Sequence, residues 1–141
     1  MNVADVMTTD IDCCSPESTC KEVAIKMKEL DVGVIPICEN EKLVGVITDR
    51  DLVIRGLAND LSDASTVSEL LTNMVVKGTK DMSIEEVAKI MSHEQIRRLP
   101  IVENEKLVGM VSLGDLAVNK QSSDEAGEAL KEISDPAEPN K

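Results

Sequence analysis

The chain has 141 residues, and its 27 acidic against 15 basic side chains give a net charge of −12. Long-range repulsion at that charge disfavours DNA, RNA and anionic membrane surfaces as partners. Phe, Tyr and Trp are all absent, which removes the stacking platforms of single-strand binders and leaves Val, Ile, Leu, Met and Ala to build the core. Any flat ligand must then be gripped by aliphatic side chains. The longest apolar stretch, Val32 to Cys38, is strand-sized, and no signal-peptide pattern is present. The expectation is a cytoplasmic protein with no membrane segment.

Shifting the sequence against itself by 64 positions aligns Val3–Arg55 with Val67–Asn119 without a gap, and 17 of the 53 columns are identical. Within them Glu39-Asn40-Glu41-Lys42-Leu43-Val44-Gly45 returns letter for letter as Glu103 to Gly109. A period of this length marks a tandem duplication of one supersecondary unit. A unit of roughly 60 residues buries only ~60% of its unfolded surface and is marginal alone, so the two copies are expected to fold as one module. The expected division is repeat one over residues 1–60, a linker at 61–66, repeat two over 67–120 and an acidic C-terminal tail at 121–141.

In chain order, Val3 to Met7 reads as a helical turn, echoed by Val67 to Leu71. Thr8 to Cys14 gives a brief strand around Ile11. Thr19 is an N-cap, and from Cys20 the residues Val23, Ala24, Met27 and Leu30 fall on one helical face. In copy two Ser83 and Glu86 form a capping box before Ile84, Val87, Ala88 and Met91. Val34 to Cys38 reads as a buried strand that Pro36 confines to an edge or a strand start. A polar Glu-Asn-Glu-Lys turn follows, then the return strand Leu43 to Ile47. A second helix runs from Asp49 to Leu57 or Leu61 with Leu52, Val53 and Leu57 inward. Copy two repeats this at Arg98–Val102, Leu107–Val111 and from about Leu113. In the tail, Ala126, Leu130 and Ile133 suit one amphipathic helix over 123–133, and the composition beyond Asp135 suits disorder.

All four cysteines, Cys13, Cys14, Cys20 and Cys38, lie in copy one, and copy two has Lys77, Gly78, Ile84 and Val102 in their places. The shared fold therefore requires a thiol at none of them. Their spacing is that of neither a zinc ribbon nor a CxxC redox motif, so no metal site and reduced thiols are expected. His93, the single histidine, falls in the last turn of a helix and reads as a surface residue. No Ser or Cys has a recognisable catalytic partner arrangement, and the chain is not expected to be an enzyme.

Each return strand enters its helix through Gly-hydrophobic-hydrophobic-Thr/Ser-x-x-Asp-Leu: Gly45 to Leu52, then Gly109 to Leu116. A capping box alone explains Thr48 with Asp51 and Ser112 with Asp115. The same atoms suit a ligand: a first-turn carboxylate accepts hydrogen bonds from a ribose diol, and the hydroxyl and free amides bind phosphate. Both readings stand on the pattern.

This repeated unit, with Ile/Leu-Pro-Ile-Cys/Val on one strand and the Thr/Ser-x-x-Asp-Leu start on the next helix, resembles a tandem pair of CBS domains, a Bateman module. The resemblance covers Val3 to about Asn119 and is to the small stand-alone bacterial proteins of the family. It implies an α/β (α+β) fold of two β-α-β-β-α repeats packed as a pseudo-two-fold pair. It further implies an adenosine-containing regulatory ligand (AMP, ADP, ATP or S-adenosylmethionine) in clefts between the repeats, no required cofactor, a homodimer, and signalling to a separate protein effector. By the same resemblance Asp51 and Asp115 match ribose-binding acids, and Thr48 and Ser112 hydroxyl or phosphate contacts. Arg50, Arg97 and Arg98 match phosphate-reaching bases, and Ile11, Ile35, Pro36, Val75, Leu99 and Pro100 adenine-slot positions. The copies differ: Gly33-Val34 stands against Arg97-Arg98, and Asp49-Arg50 against Leu113-Gly114. The arginines are therefore expected either to form a basic pocket or to pair with Asp49, Glu94 and other surface acids, and the two sites are expected not to be equivalent. The alternative function is a ligand-free scaffold that docks proteins.

Overall fold

Helix starts are where the caps place them. In a computed structural model, which describes residues 1–71, 76–118 and Ile133, α1 spans Cys20–Leu30 and α2 spans Ile84–Glu94. Thr19 Oγ1 accepts the Glu22 N–H at 3.1 Å, and Ser83 Oγ accepts the Glu86 N–H at 3.1 Å. Such a cap is worth about 1 kcal/mol. Both helices end on a left-handed residue that is not glycine, Asp31 (φ 54°) and Gln95 (φ 56°), which turns the chain sharply toward the next strand.

The strands are β1 (Val34–Glu39), β2 (Lys42–Thr48), β3 (Gly78–Thr79), β4 (Arg98–Glu103) and β5 (Lys106–Ser112), and β5 runs into a third helix, α3 (Leu113–Ala117). The repeated polar stretch makes the hairpin turns, with Asn40 and Glu41 at φ 53° and 70° and their twins Asn104 and Glu105 at 53° and 68°. Two consecutive left-handed residues define the turn whose twist matches that of paired strands. Val44 is the extra residue of a bulge opposite Ile37 and Cys38 in the β1–β2 pair.

The chain gathers into two compact units. The repeat-one unit holds Asp12–Val75 with Glu105–Leu107; the repeat-two unit holds Met1–Ile11 and Val76–Asn104 and resumes at Val108. In the repeat-one unit β1 and β2 form an antiparallel hairpin, and Lys42 stands opposite Lys106. Leu43 N–H donates to Glu105 C=O at 3.0 Å, and Leu107 N–H to Glu41 C=O at 3.2 Å. Lys42 pairs with Glu105 at 3.5 Å and Lys106 with Glu41 at 3.2 Å. In the repeat-two unit the strand order is β5-β4-β3, with β3 parallel to β4.

The units cut across the repeats because each lead-in turn serves the other copy. Val3 is fully buried among Val87, Met91, Leu99, Ile101 and Val111 of copy two, while Val67 and Leu70 are buried among Val23, Met27, Ile35, Ile37 and Ile47 of copy one. The backbone repeats the exchange bond for bond: Val3 N–H donates to Met82 C=O at 2.9 Å, and Val67 N–H to Ser18 C=O at 2.9 Å. Asn2 bridges the cap residue Ser83 just as Thr66 bridges Thr19. Gly109 accommodates the lead-in, since a Cβ there would lie 2.5 Å from Met7 Sδ.

Four local expectations are corrected. Thr8 to Cys14 forms no strand; only Thr8 (to Met110) and Cys14 (to Ile37) make bridges, because the exchange parts the segment at Ile11/Asp12 and gives its ends different partners. The second helix of copy one is a π-helix, Asp51–Gly56, followed by a short 3-10 turn, Leu57–Asn59. It rests on the core through Leu52 and Gly56, where a Cβ would meet Leu70 at 3.5 Å, so Val53 (53% exposed) and Leu57 (68%) face outward. Ala24 and Leu30 of α1 are likewise exposed. The proposed tail helix lies outside the described residues apart from Ile133.

Val3→Ala is expected to cost about 2 kcal/mol. Urea unfolding with hydrogen exchange checks it: protection should fall first in α2, although the substitution is in copy one by sequence.

Candidate functional site

Both Thr/Ser-x-x-Asp starts form the capping box. Asp51 Oδ2 accepts the Thr48 N–H at 2.9 Å while Thr48 Oγ1 accepts the Asp51 N–H at 3.0 Å. Asp115 Oδ2 accepts the Ser112 N–H at 2.8 Å and Ser112 Oγ the Asp115 N–H at 3.1 Å. Each box uses one carboxylate oxygen. In copy one the other, Oδ1 of Asp51, faces Arg55 Nη1 at 3.6 Å. In copy two Oδ1 of Asp115 has no bonded partner among the described residues. All four side chains are half-buried, at the mouth of a strand-to-helix turn whose first amides are free of helical partners.

The residue that meets each turn from the preceding loop differs. Gly33 C=O accepts the Asp49 N–H at 2.9 Å, and Arg97 C=O accepts the Leu113 N–H at 3.0 Å. A Cβ at Gly33 would stand 3.2 Å from Asp49 Oδ2, so copy one holds a carboxylate over a glycine where copy two has an arginine beside a leucine. Asp49 Oδ1 in turn accepts its neighbour's amide, Arg50 N–H, at 2.8 Å. Arg50, Arg97 and Arg98 are exposed, and among the described residues none makes an ion pair within 4.0 Å. The acids that do pair take Lys26, Lys42, Arg55, Lys80 and Lys106.

The residues matched to an adenine slot are placed differently from one another. Ile35 and Leu99 are closed into the two cores, and Pro36 and Pro100 are buried on β1 and β4. Ile11 is half-buried in the repeat-two unit. Val75 lies outside the described residues. Thr48, Arg50 and Asp51 fall in the repeat-one unit, while Arg97, Arg98, Ser112 and Asp115 fall together in the repeat-two unit.

Two features escaped the sequence reading. An open groove of ≈ 300 Å³ in the repeat-one unit runs between α1 and the π-helix, walled by Ala24, Leu52, Leu57 and Leu61 with Lys21 and Asp63 alongside. The exposed Ile25, Val53 and Ile54 belong to the same two helices. The repeat comparison carried a signal for it, because Ile25, Leu30 and Leu57 stand where copy two has Lys89, Glu94 and Gln121. The second feature is the buried thiol of Cys38. Cys14 bridges Ile37 beside Cys38; burial first, then the influence of the Cys13 thiol, push Cys38 up to about 12. Burial also raises Cys14 and Cys20. No group of three or more His, Cys, Asp or Glu among the described residues could hold a metal ion, and no helix among them is long and apolar enough to cross a membrane.

Duplicated α/β units with paired acid-capped helix starts define a class of tandem-repeat modules, and the comparisons place the chain in one family of them. The CBS domain family model matches residues 3–56 and 67–119, and the chain belongs to that family. The CBS domain-containing protein YhcV of Bacillus subtilis is 45% identical over 133 residues, 94% of this chain and 95% of that protein. Hypoxic response protein 1 of Mycobacterium tuberculosis is 36% identical over 115 residues, 80% of each chain. The crystal structure of Hypoxic Response Protein I with two coordinated zinc ions matches with a TM-score of 0.79 at 34% identity, covering 84% of this chain and 98% of that one. The CBS domain pair of protein MJ0100, solved in complex with 5′-methylthioadenosine and S-adenosyl-L-methionine, matches at 0.73 and 26%, covering 84% and 94%.

Cys38 gives a pH signature. Burial pushes the folded Cys38 thiol from its ordinary 9.0 up to about 12, so over that window the unfolded chain sheds a proton that the folded chain keeps. The resulting stabilisation is whole below 9.0 and drains away as the pH rises toward 12. Chemical denaturation across the window should show wild type losing stability relative to Cys38→Val.

Proposed function

We propose that the protein is a regulatory module that binds an adenosine-containing nucleotide (AMP, ADP, ATP or S-adenosylmethionine) at its Thr/Ser-x-x-Asp helix starts and signals to a separate protein. It is not an enzyme, requires no cofactor and acts in the cytoplasm as a homodimer. The observation that carries the reading is the copy-two helix start: among the described residues Asp115 spends one oxygen on its own cap and keeps the other free of partners, and the exposed guanidinium of Arg97 makes no ion pair. The free oxygen accepts from the ribose diol; Ser112, Arg97 and Arg98 take the phosphate, and Ile11 offers an aliphatic surface to the base. In copy one Asp51, Thr48 and Arg50 have the same roles, but Asp51 already faces Arg55, so that site binds more weakly. Family membership and the adenosyl ligands of the MJ0100 pair support this choice of ligand.

Asp115→Asn keeps a cap acceptor and removes the charge, and a charge-assisted hydrogen bond is worth about 1.5–3 kcal/mol. Calorimetry with the four nucleotides should show affinity about ten- to hundredfold lower in Asp115→Asn, with a smaller change in Asp51→Asn. Unchanged affinity in both removes the roles assigned here.

The groove favours a second reading, a ligand-free CBS-pair dimer that acts as a protein-interaction scaffold, with the groove as the face that joins the two copies of the chain. Apolar residues exposed where the sister repeat is polar need a partner to cover them. Light scattering on Leu57→Asp should show a monomer where wild type is a dimer. A thermal-shift panel flat for every nucleotide, with the dimer intact, would favour the scaffold, since a ligand at 100 times its dissociation constant adds ~2.7 kcal/mol.

A further inference from the structure

The two helix starts share a backbone and differ in charge. Asp49 N–H donates to Gly33 C=O at 2.9 Å, and Leu113 N–H to Arg97 C=O at 3.0 Å, so the same bond joins the same two columns in each repeat. In copy one the Asp49 carboxylate lies over the glycine: a Cβ on Gly33 would stand 3.2 Å from its Oδ2 and 3.4 Å from its Oδ1. That Oδ1 is held by the Arg50 N–H at 2.8 Å. In copy two the β-carbon exists and begins the side chain of Arg97. An acid in one repeat therefore stands beside the spot from which a guanidinium extends in the other.

The charge around each capping acid follows. In copy one Asp49 and Asp51 accompany Arg50 and Arg55, and Arg55 already faces Asp51 at 3.6 Å, so the start carries no net charge. In copy two Asp115 shares its unit with Arg97 and Arg98, and the start is net positive. Asp49, Arg50, Arg97 and Arg98 are exposed, and among the described residues none of them makes an ion pair within 4.0 Å. Their charges are open to a ligand.

From this reversal of charge we propose that Asp49 and Arg97 set the ligand class of each start. The copy-two start takes an adenosine that carries a 5′-phosphate. The copy-one start takes an adenosyl ligand whose 5′ end is neutral or cationic, such as the sulfonium of S-adenosylmethionine. This rests on the nucleotide reading above and assigns a ligand to each of its two sites. With the ribose diol on Asp115 and the phosphate on the Ser112 and Arg97 side, the same pose in copy one brings the 5′ end to Thr48 and Asp49. A phosphate there meets a like charge, and near Arg97 an opposite one; a repulsive group against the wrong ligand gives selectivity as surely as an attractive one for the right ligand. Charges exposed in this way act through water, so each is expected to move phosphate affinity about tenfold and to lose that effect as salt rises. An uncharged nucleoside gives neither side chain anything to act on.

Calorimetry on the full chain with AMP, adenosine and S-adenosylmethionine reads the starts apart, because Asp51→Asn weakens copy one and Asp115→Asn weakens copy two. In Asp51→Asn, AMP should bind about tenfold more tightly than adenosine, and adding Arg97→Gln should close most of that gap without changing adenosine. In Asp115→Asn, AMP should bind about tenfold less tightly than adenosine or S-adenosylmethionine. Adding Asp49→Asn there should raise AMP affinity alone, since the asparagine keeps an oxygen for the Arg50 N–H. Both gaps should narrow at high salt. An AMP-to-adenosine ratio that is equal at the two starts, or that Asp49→Asn leaves unmoved, overturns the inference while the nucleotide reading stands. If neither Asp51→Asn nor Asp115→Asn lowers any affinity, that reading fails and takes the inference with it.

Discussion

The exchange of the lead-in turns is the constraint on which the two cores rest. Val3 completes the core of copy two, and Val67 with Leu70 completes that of copy one. Each turn also caps the edge of the helix it reaches, through the paired bridges Asn2–Ser83 and Thr66–Thr19. A repeat of this size cannot close an adequate core alone, and an aliphatic core without aromatic rings leaves less area still to be buried per residue. Borrowing a valine turn from the sister copy supplies the missing side of the core without lengthening either repeat.

At the helix starts, one acid meets two demands. The box orients the carboxylate and satisfies orphan amides, which leaves one oxygen aimed by structure and not by chance. Where that oxygen is already drawn toward Arg55, as in copy one, the start is mostly a cap; where it is not, as in copy two, it is available. The loop opposite has changed in step. Asp49 stands over Gly33, where a Cβ would lie 3.2 Å from its Oδ2, while Leu113 accompanies Arg97. Duplication thus gave two scaffolds of one geometry, and the differences between them follow the contacts each start makes.

Much of this was legible in the sequence because it depended on local signals. The period of the duplication, the caps at Thr19 and Ser83, the hairpin turns and the Thr/Ser-x-x-Asp starts each lie within a few residues. What was illegible depended on long-range choices. Nothing between Val3 and Met7 says which copy its valine will serve, so the strand expected at Thr8 to Cys14 was parted between two units. Apolar letters at Ala24, Leu30, Val53 and Leu57 fit a helical stripe, yet burial is decided by whether another element covers it, and in copy one none of the described elements does.

The hairpin contacts bear on how the gene has changed since it doubled. Lys42 faces Glu105 and Lys106 faces Glu41, so a single charge reversal in either turn sets like charges together until its mirror image arrives. Exposed pairs of this kind contribute only ~0–1 kcal/mol each, yet they favour keeping opposite charges in the two turns, a constraint the outward helix faces lack. The sevenfold identity is therefore a poor clock for the age of the duplication; the unmatched columns, such as Ile25 against Lys89, keep better time.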